Sequence, residues 1–387
     1  MKVTDILGIR EQNIASIINA VRFKSGISKK QIAEETELSV ATVSNLCNDL
    51  AARNILIESK NDGLSVGRTP SVYTFNVERY CVLAINLQLR NVMYLAITNF
   101  RNEIILEKEY KYSDNAGVEE IMHEARVHYE EDLKPGLRDD AVIIGVGVAV
   151  SAIYDTSHSK LVCCAIPVFE EKDLKKITEK EFGLTAYIDN EANLCAIAAN
   201  ASEAEYEDIV YIHASEGVGT GIIQHGRLLQ GHNGYAGEIS HMPIGRPDRK
   251  CKVCGRYGCI ESDLSIDGFL LSYFGNNRGK REERWKEFLE AVEAKKEKAL
   301  KVTEETGTYL GRLVSVLIYL FDPQVVYIGG NIPVLYPYMK ESMMKEVRGR
   351  CVLWDENSIA KILPDLTSNE RIIIGISERI CSKWLPY

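Results

Sequence analysis

One short segment carries three of the ten cysteines, and its chemistry constrains the fold more than any other feature. Cys251, Cys254 and Cys259 are separated by two and four residues, and His241 precedes them by ten. Three thiolates and one imidazole form a closed set of four ligands, which favours a structural tetrahedral zinc ion. The alternative is four unliganded residues. We expect one structural zinc per chain, held by His241, Cys251, Cys254 and Cys259.

The length and composition are those of a globular protein with more than one domain. At about 150 residues per domain, the 387 residues predict two or three domains. Apolar residues make up 45% and charged residues 26%, which excludes a mostly disordered or fibrous chain. The seven scattered cysteines are interpreted as small core residues, not as a disulfide framework.

Neither a membrane span nor a leader is visible in the sequence. The longest apolar runs, such as residues 142–150, are far shorter than the roughly 20 residues that cross a bilayer. The polar N-terminus does not resemble a signal peptide, so we expect a cytoplasmic protein with no membrane partner.

The charge is distributed unevenly along the chain. The net charge is −9, yet residues 1–80 hold ten Lys and Arg against nine Asp and Glu. The N-terminal part is therefore near neutral on an acidic body. Any DNA binding must come from a local arrangement of charge and a defined motif.

Three helices are predicted in the first 76 residues. Apolar residues recur at helical spacing over residues 14–21. Ser28 and Gln31 form a capping box that opens a second helix, and Ser39 is a good N-cap for a third. The third helix has an apolar stripe made of Val43, Leu46, Cys47 and Leu50.

A hairpin completes this N-terminal region. Strands are predicted at 55–58 and 72–75, joined by a turn and by Gly67-Arg68-Thr69-Pro70. Helix, helix, tight turn, helix and hairpin is the order of a winged helix-turn-helix. The polar face of the third helix suits the major groove, because Asn pairs with adenine and small methyl groups pack on thymine.

We expect base or phosphate contacts from one set of residues in this region: Lys29, Lys30, Ser39, Ala41, Thr42, Ser44, Asn45 and Arg68. The basic members would hold phosphates. The alternative is a three-helix interaction module that touches no DNA.

From residue 77 onward, strands and helices alternate, which predicts an α/β body. The predicted strands are 82–85, 93–98, 142–150, 186–188, 208–213, 222–224 and 325–328. The predicted helices are 172–182, 189–199, a mostly helical stretch over 267–321 and a last helix over 369–384. Two glycine segments, 216–221 and 328–330, are interpreted as tight turns.

These motifs resemble those of the ROK family (repressors, open reading frames and sugar kinases), in its transcriptional-repressor branch. Residues 27–33 and 38–44 are similar to that branch's helix-turn-helix, and 67–70 to its wing. In the body, Gly-Tyr-Ala-Gly-Glu-Ile-Ser-His at 234–241 and the cysteine segment at 251–261 carry the strongest similarity. The family usually has one residue between the first two cysteines, whereas this chain has two.

The resemblance implies a domain organisation. A winged helix-turn-helix domain would occupy 1–76 and a sugar-binding domain 77–387. The latter would consist of two actin-like (ribonuclease H-like) α/β lobes. Lobe one would span about 77–195 plus the C-terminal helix 369–387, and lobe two about 196–368.

The resemblance also implies a sugar site formed by Asn190, Glu191, Glu238, His241 and Glu261. His241 would give one ring nitrogen to zinc and the other to the sugar, so that the metal orients a ligand-contacting residue. The alternatives are solvated surface charge for the glutamates and a helix cap for Asn190.

Catalysis is not expected. ROK kinases carry Asp-x-Gly-Gly-Thr after the first strand, but residues 86–91 read Asn-Leu-Gln-Leu-Arg-Asn. Glu191 stands at the position of the catalytic Asp, and Ser151-Ala152 departs from the Gly-x-Pro-Gly segment near the cleft. Because the phosphate cradle is lost, we predict a non-enzymatic, sugar-responsive repressor of carbohydrate-utilisation genes, a homodimer on a palindromic operator. A bifunctional kinase that also binds DNA and a scaffold that binds none are the alternatives.

Overall fold

The computed structural model describes residues 3–60, 71–203, 205–276, 278–353, 355 and 358–385. It is a mixed α/β protein, as predicted. The expected wing segment at 67–70, with Arg68, lies outside the described residues. Within the described parts, no helix is long and apolar enough to cross a membrane.

The N-terminal region, which we call the head, combines three helices with an antiparallel sheet in the order β1-β3-β2. Its elements are α1 (Val3–Arg22), β1 (Ile27–Ser28), α2 (Lys29–Thr36), α3 (Val40–Ala52), β2 (Leu56–Lys60) and β3 (Ser71–Phe75). Both halves of the Ser28–Gln31 capping box form, and the Ser39 hydroxyl accepts the Thr42 N–H. Both predicted helix starts are therefore confirmed, and the predicted stripe of α3 is buried.

The body contains two five-stranded sheets with the same topology. The first has the order β10-β7-β4-β5-β6 and the second β13-β12-β11-β14-β15. The first comprises β4 (Tyr80–Asn86), β5 (Val92–Asn99), β6 (Ile104–Lys111), β7 (Val142–Val150) and β10 (Ala186–Asn190). The second comprises β11 (Ile209–Ala214), β12 (Val218–Gln224), β13 (Arg227–Leu228), β14 (Val325–Gly330) and β15 (Lys361–Pro364). In each sheet, the first three strands along the chain pair antiparallel, and the last two run parallel to the first strand.

The remaining elements connect and cover these sheets. A hairpin consists of β8 (Ile153–Asp155) and β9 (Lys160–Val162). The body helices are α4 (Val118–His128), α5 (Leu174–Phe182), α6 (Glu191–Ser202), α7 (Glu261–Leu264), α8 (Ile266–Phe274), α9 (Arg281–Glu293), α10 (Glu297–Phe321), α11 (Tyr336–Arg350) and α12 (Ser368–Cys381).

The core is layered, with α6 and α12 between the two sheets. Along β4, Val82 and Ala84 pack on the inner side with α6 and α12, whereas Leu83 and Ile85 pack outward with α4. The outer face of the second sheet is covered by α10 and α11. The alternation follows from the two-residue period of a strand buried on both faces.

The prediction of tight turns at both glycine segments is wrong. Residues 328–330 are the last three residues of β14. The glycines at 216–221 are not all in a turn either, because β12 already begins at Val218 and contains Gly219 and Gly221. A Cβ on Gly221 would overlap the carbonyl of Ala192 in α6. A Cβ on Gly375 in α12 would overlap the carbonyl of Leu194, which also lies in α6. Small residues on both sides therefore allow α6 to lie close to the second sheet and to α12.

A buried arginine joins the head to the body. Arg22, at the end of α1, is 1% exposed. Its guanidinium donates to Glu378 of α12 at 2.8 Å and to Asn102, after β5, at 2.7 Å. Phe75 of the head stacks on Phe100 with ring centroids 4.1 Å apart, and Trp384 meets Phe100 edge-on. The head is thus packed against the body through an ion pair set in an aromatic cluster.

We predict that Arg22→Ala strongly destabilises the protein, because it removes the charged partner of Glu378 at a buried junction and leaves only Asn102 as a donor to its carboxylate. Removing one member of a buried pair typically costs about 3–5 kcal/mol. The exposed pair Arg10–Asp49 supplies the control, since Arg10→Ala should cost at most about 1 kcal/mol. Urea denaturation of both variants measures the difference. Equal free energies of unfolding for the two variants would contradict the role of Arg22.

Candidate functional site

All five residues predicted to bind sugar line one small cleft, of about 40 Å³. Asn190 ends β10 and Glu191 begins α6; Glu238 precedes the helical turn Ile239–His241, and Glu261 begins α7. The cleft therefore lies where the first sheet, α6 and the segment leading to α7 converge. Ser151 and the glycines at 217 and 219 also line it.

Glu191 lies at the bottom of this cleft and is only 4% exposed. The Ser151 hydroxyl donates to one carboxyl oxygen at 2.8 Å, whereas the other oxygen is buried without a hydrogen-bond partner among the described groups. Burial raises the pKa of Glu191 to about 7. A buried acceptor without a donor is costly unless a ligand supplies one.

Two further carboxyl groups face the same space. Burial, reinforced by the charges of Glu191 and Glu261, raises the pKa of Glu238 to about 8. Burial likewise raises the pKa of Glu261 to about 7, although the Val218 N–H and the Cys251 thiol favour its ionised form. Three such groups close together do not ionise independently. The cleft is therefore rich in hydrogen-bond acceptors and suits a ligand with several hydroxyl donors.

Asn190 also has a structural role. Its carboxamide oxygen accepts the Asn193 N–H at 2.7 Å and caps α6. The helix-cap role noted as an alternative from the sequence is therefore present, and the NH₂ group remains available to a ligand.

The four predicted metal ligands are grouped. Their ligand atoms all lie within 4.8 Å of one another. The Sγ atoms of Cys254 and Cys259 are 3.4 Å apart, and Cys251 Sγ is 3.8 Å from His241 Nδ1. A tetrahedral metal with bonds of about 2.3 Å to sulfur needs ligand separations of about 3.8 Å. The four side chains can therefore hold a metal ion with small adjustments.

His241 belongs to both sites. Its Nδ1 faces Cys251, which leaves Nε2 for the cleft that the ring also lines. Burial lowers the pKa of His241, and Arg256 adds to this effect. The neutral imidazole that results is the form that binds metals.

The cysteine segment is held by its own backbone and by a buried ion pair. The Cys251 N–H donates to the Arg256 carbonyl at 2.7 Å, and Gly255 turns the chain with a φ of 72°. Asp263, 1% exposed, lies 3.0 Å from Arg249 Nη1. The turn at Gly255 accommodates the two residues that separate Cys251 from Cys254.

The first N–H groups of the loop at residues 86–91 are already hydrogen-bonded within the protein. The Leu87 N–H donates to the Ala149 carbonyl at 2.9 Å, and the Gln88 N–H donates to the Asn86 side chain at 3.0 Å. Phosphate cradles need such N–H groups free and convergent. The Gly330 and Asn331 N–H groups are likewise bonded, to Ser368 Oγ and to the Ala214 carbonyl.

Gln88 instead links the two sheets. Its amide oxygen lies 3.0 Å from His213 Nε2 on β11, and its amide nitrogen donates to Asn369 at 2.6 Å at the start of α12. Burial lowers the pKa of His213 to about 4, so the neutral ring donates from Nε2.

The predicted DNA-contacting residues lie around α3. Ala41 and Asn45 are exposed, and Thr42 and Ser44 are half-buried. Ser39 and Thr42 share the cap of the helix. Lys29 does not extend freely into solvent: its ammonium donates to Ser44 at 3.1 Å and to Asn48 at 2.8 Å. Lys30 is largely exposed, 3.8 Å from Glu34.

Val40 was not predicted to take part in this surface. It is 56% exposed in the first turn of α3, beside Ala41. A methyl-bearing side chain there suits thymine contact. Its position outside the buried stripe is the signal that could have identified it.

A family model described as the ROK family matches residues 91–378. The chain belongs to the ROK family. The match includes the cleft, the cysteine segment and most of α12.

Individual ROK proteins resemble the chain over different lengths. The xylose repressor of Bacillus spizizenii is 24% identical over 389 residues, covering 100% of this chain and 99% of that protein. A crystal structure of a ROK family transcriptional regulator, a homologue of the E. coli MLC protein, matches 97% of both chains with a TM-score of 0.81 and 18% identity. A ROK glucokinase from Streptomyces griseus matches 77% of this chain and 98% of its own, with a TM-score of 0.64 and 18% identity.

The buried carboxyl of Glu191 makes the stability depend on pH. Its folded pKa is about 7 against an ordinary value of 4.5, so the folded state binds the proton more tightly. Its contribution to stability is therefore lost as pH rises from about 5 through 7. Glu191→Gln removes this titration and keeps an acceptor for Ser151.

We expect the melting temperature of Glu191→Gln, relative to the unchanged protein, to rise between pH 5 and pH 8. Glu287→Gln, at an exposed position of α9, is the control and should show a constant difference. Thermal denaturation across this pH range measures both. A constant difference for Glu191→Gln as well would show that this carboxyl is not buried.

Proposed function

We propose that the protein is a sugar-responsive transcriptional repressor without catalytic activity. The proposed architecture is a winged helix-turn-helix domain at 1–76 and a sugar-binding domain of two actin-like lobes at 77–387. One observation supports the proposal most directly: the same chain combines a candidate DNA-binding surface with a candidate sugar-binding cleft. A polar recognition face on α3 belongs to a head that Arg22 fixes to a body with a hydroxyl-binding cleft.

The head would read DNA through α3. Asn45 and Ala41 are exposed next to Val40, so a bidentate amide and two small apolar groups can approach base edges. Lys29, held by Ser44 and Asn48, would stiffen this face. Lys30 and Arg68 remain the proposed phosphate contacts. A two-fold homodimer would place two such helices on the half-sites of a palindromic operator.

The effector would be an aldose held by the cleft. Sugar hydroxyls donate to carboxylates and accept from amides and imidazoles, and the cleft presents these groups on Asn190, Glu191, Glu238, His241 and Glu261. The full-length relative named xylose repressor makes xylose the first candidate.

A structural zinc ion would complete the site. His241, Cys251, Cys254 and Cys259 fit it by ligand type and separation. The metal would hold Nδ1 of His241 and so fix the direction of Nε2 toward the sugar. It would also hold the cysteine segment that ends next to Glu261.

Phosphoryl transfer is not part of the proposed function. The N–H groups of residues 87 and 88, and of Gly330 and Asn331, are bonded within the protein. The side chain of Gln88 is likewise engaged, with His213 and Asn369. Enzymatic phosphoryl transfer depends on a cradle and bound metal that neutralise the phosphates.

Helix α12 would transmit the effect of sugar binding to the head. Its first turn is bonded to Gln88 between the sheets, and Glu378 in its last turns is bonded to Arg22. It also packs along α6, whose first residue is Glu191. A sugar that favours one arrangement of the two lobes would therefore shift α12 and with it the head.

Asn45→Ala tests the recognition face. Loss of a bidentate contact to a base should cost about 1–3 kcal/mol of operator affinity and relax the preference at one base position. Gln12→Ala, at an exposed position of α1, should leave both unchanged. Fluorescence anisotropy with an operator selected from random DNA provides the measurement. Unchanged affinity and preference for Asn45→Ala would exclude this face as the DNA reader.

Cys254→Ser tests the metal. We expect about one zinc per chain in the unchanged protein, and loss of both zinc and thermal stability in the variant, because structural zinc contributes to folding free energy. Cys163→Ser changes an exposed thiol outside the set and should affect neither. Elemental analysis with thermal denaturation measures both. Full stability without any bound metal would refute the assignment.

A further inference from the structure

A large cavity adjoins the sugar cleft. Its volume is about 1060 Å³, and its walls come from the loop after β4, the loop after β9, the cysteine segment, α8 and α9. It shares Cys163, Ala165, Val253 and Glu261 with the small cleft. A ligand seated in the cleft therefore has room to extend into a connected space of ligand-binding size.

The charges of this cavity do not suit a polyanion. Seven basic and five acidic side chains line it, and several are already paired. Arg281 bonds Asp267 at 3.0 Å and also pairs with Glu216, while Lys252 bonds Asp267 at 2.7 Å. A phosphate group would have to compete with these carboxylates. Fixed donors and acceptors in near balance suit neutral hydroxyl groups instead.

An aromatic surface lies in the same wall. Trp285 is half-buried and lines the cavity together with Leu270 and Leu289. Phe269 meets its ring edge-on at 5.8 Å and thereby holds it in place. A ring held in this way gives an apolar face on which the C–H face of a sugar can pack.

The cavity offers few free N–H groups to bind the phosphates of a nucleotide. Leu89 and Arg90 line the cavity and belong to the loop at residues 86–91, in which the N–H groups of Leu87 and Gln88 are already bonded. Asn331, at the opposite wall, has its N–H bonded to the Ala214 carbonyl. The groups that would receive phosphates are thus engaged on both sides.

We propose that the effector is a neutral disaccharide or longer glycoside, with one ring in the cleft of Glu191, Glu238 and Glu261 and the next ring in this cavity against Trp285. The inference rests on the proposed function, because it extends the same sugar site. The free monosaccharide would bind with only part of the available contacts.

Calorimetric titration of the full-length protein with D-xylose and with β-1,4-xylobiose tests this, with glucose and cellobiose as a second pair. We expect the disaccharide of one pair to bind about tenfold or more tighter than its monosaccharide, equivalent to about 1.4 kcal/mol. Trp285→Ala should remove this gain and leave monosaccharide affinity unchanged, whereas Trp285→Tyr should keep part of it. Arg90→Ala, in an exposed loop, should also reduce the gain and does not depend on the packing of Trp285.

The contrary outcomes are distinct. If a monosaccharide binds and its disaccharide binds no more tightly, the extended site is excluded and the proposed function stands. If neither pair binds, the proposed sugar function fails together with this inference. Binding of a non-hydrolysable ATP analogue that Arg90→Ala weakens would assign the cavity to a nucleotide and overturn the proposal.

Discussion

The close packing of α6 on α12 between the two sheets is the contact on which the rest of the structure depends. Gly375 lets α12 approach the backbone of α6 at Leu194, and Gly221 lets β12 approach it from the other side. Because α6 begins at Glu191 in the cleft and α12 ends near Arg22, this pair joins the cleft to the head. Packed interfaces of this kind change between discrete arrangements and do not deform continuously, so they suit a switch.

The buried carboxyl groups of the cleft lower the stability of the fold but leave acceptors that a ligand can use. Burial raises the pKa values of Glu191, Glu238 and Glu261, and the charge of Glu261 adds to this effect on the other two. Groups perturbed in this way concentrate at functional sites, where stability is balanced against activity. The neighbouring cysteine segment, anchored by Asp263 and Arg249, restrains the same region. A bound sugar would satisfy the buried acceptors and so convert a local cost into ligand affinity.

Local signals made the head and most of the body predictable. Ser28, Gln31 and Ser39 act on neighbouring residues, so their caps could be recognised from the sequence and are present. The edge strand β6 and helix α4 were not predicted. The largely exposed, charged residues of β6 suit a sheet edge, and its two-residue apolar period is interrupted by Ile105 and Lys108. Long-range effects were also inaccessible, including the Arg22–Glu378 pair and the bonding of Lys29 to α3. The grouping of the four metal-ligand side chains was predicted from residue type and spacing, with His241 in both sites.

Sugar bound in the carboxylate cleft would control DNA binding by the head. Operator affinity, measured by anisotropy across a titration with the tightest-binding sugar, tests this for the unchanged protein and for Glu238→Ala. We expect sugar to change the affinity of the unchanged protein by about tenfold or more, equivalent to about 1.4 kcal/mol of coupling. Glu238→Ala should bind the operator equally well without sugar and show no change with it. A normal sugar response in Glu238→Ala would contradict the account, because the controlling site would then lie elsewhere.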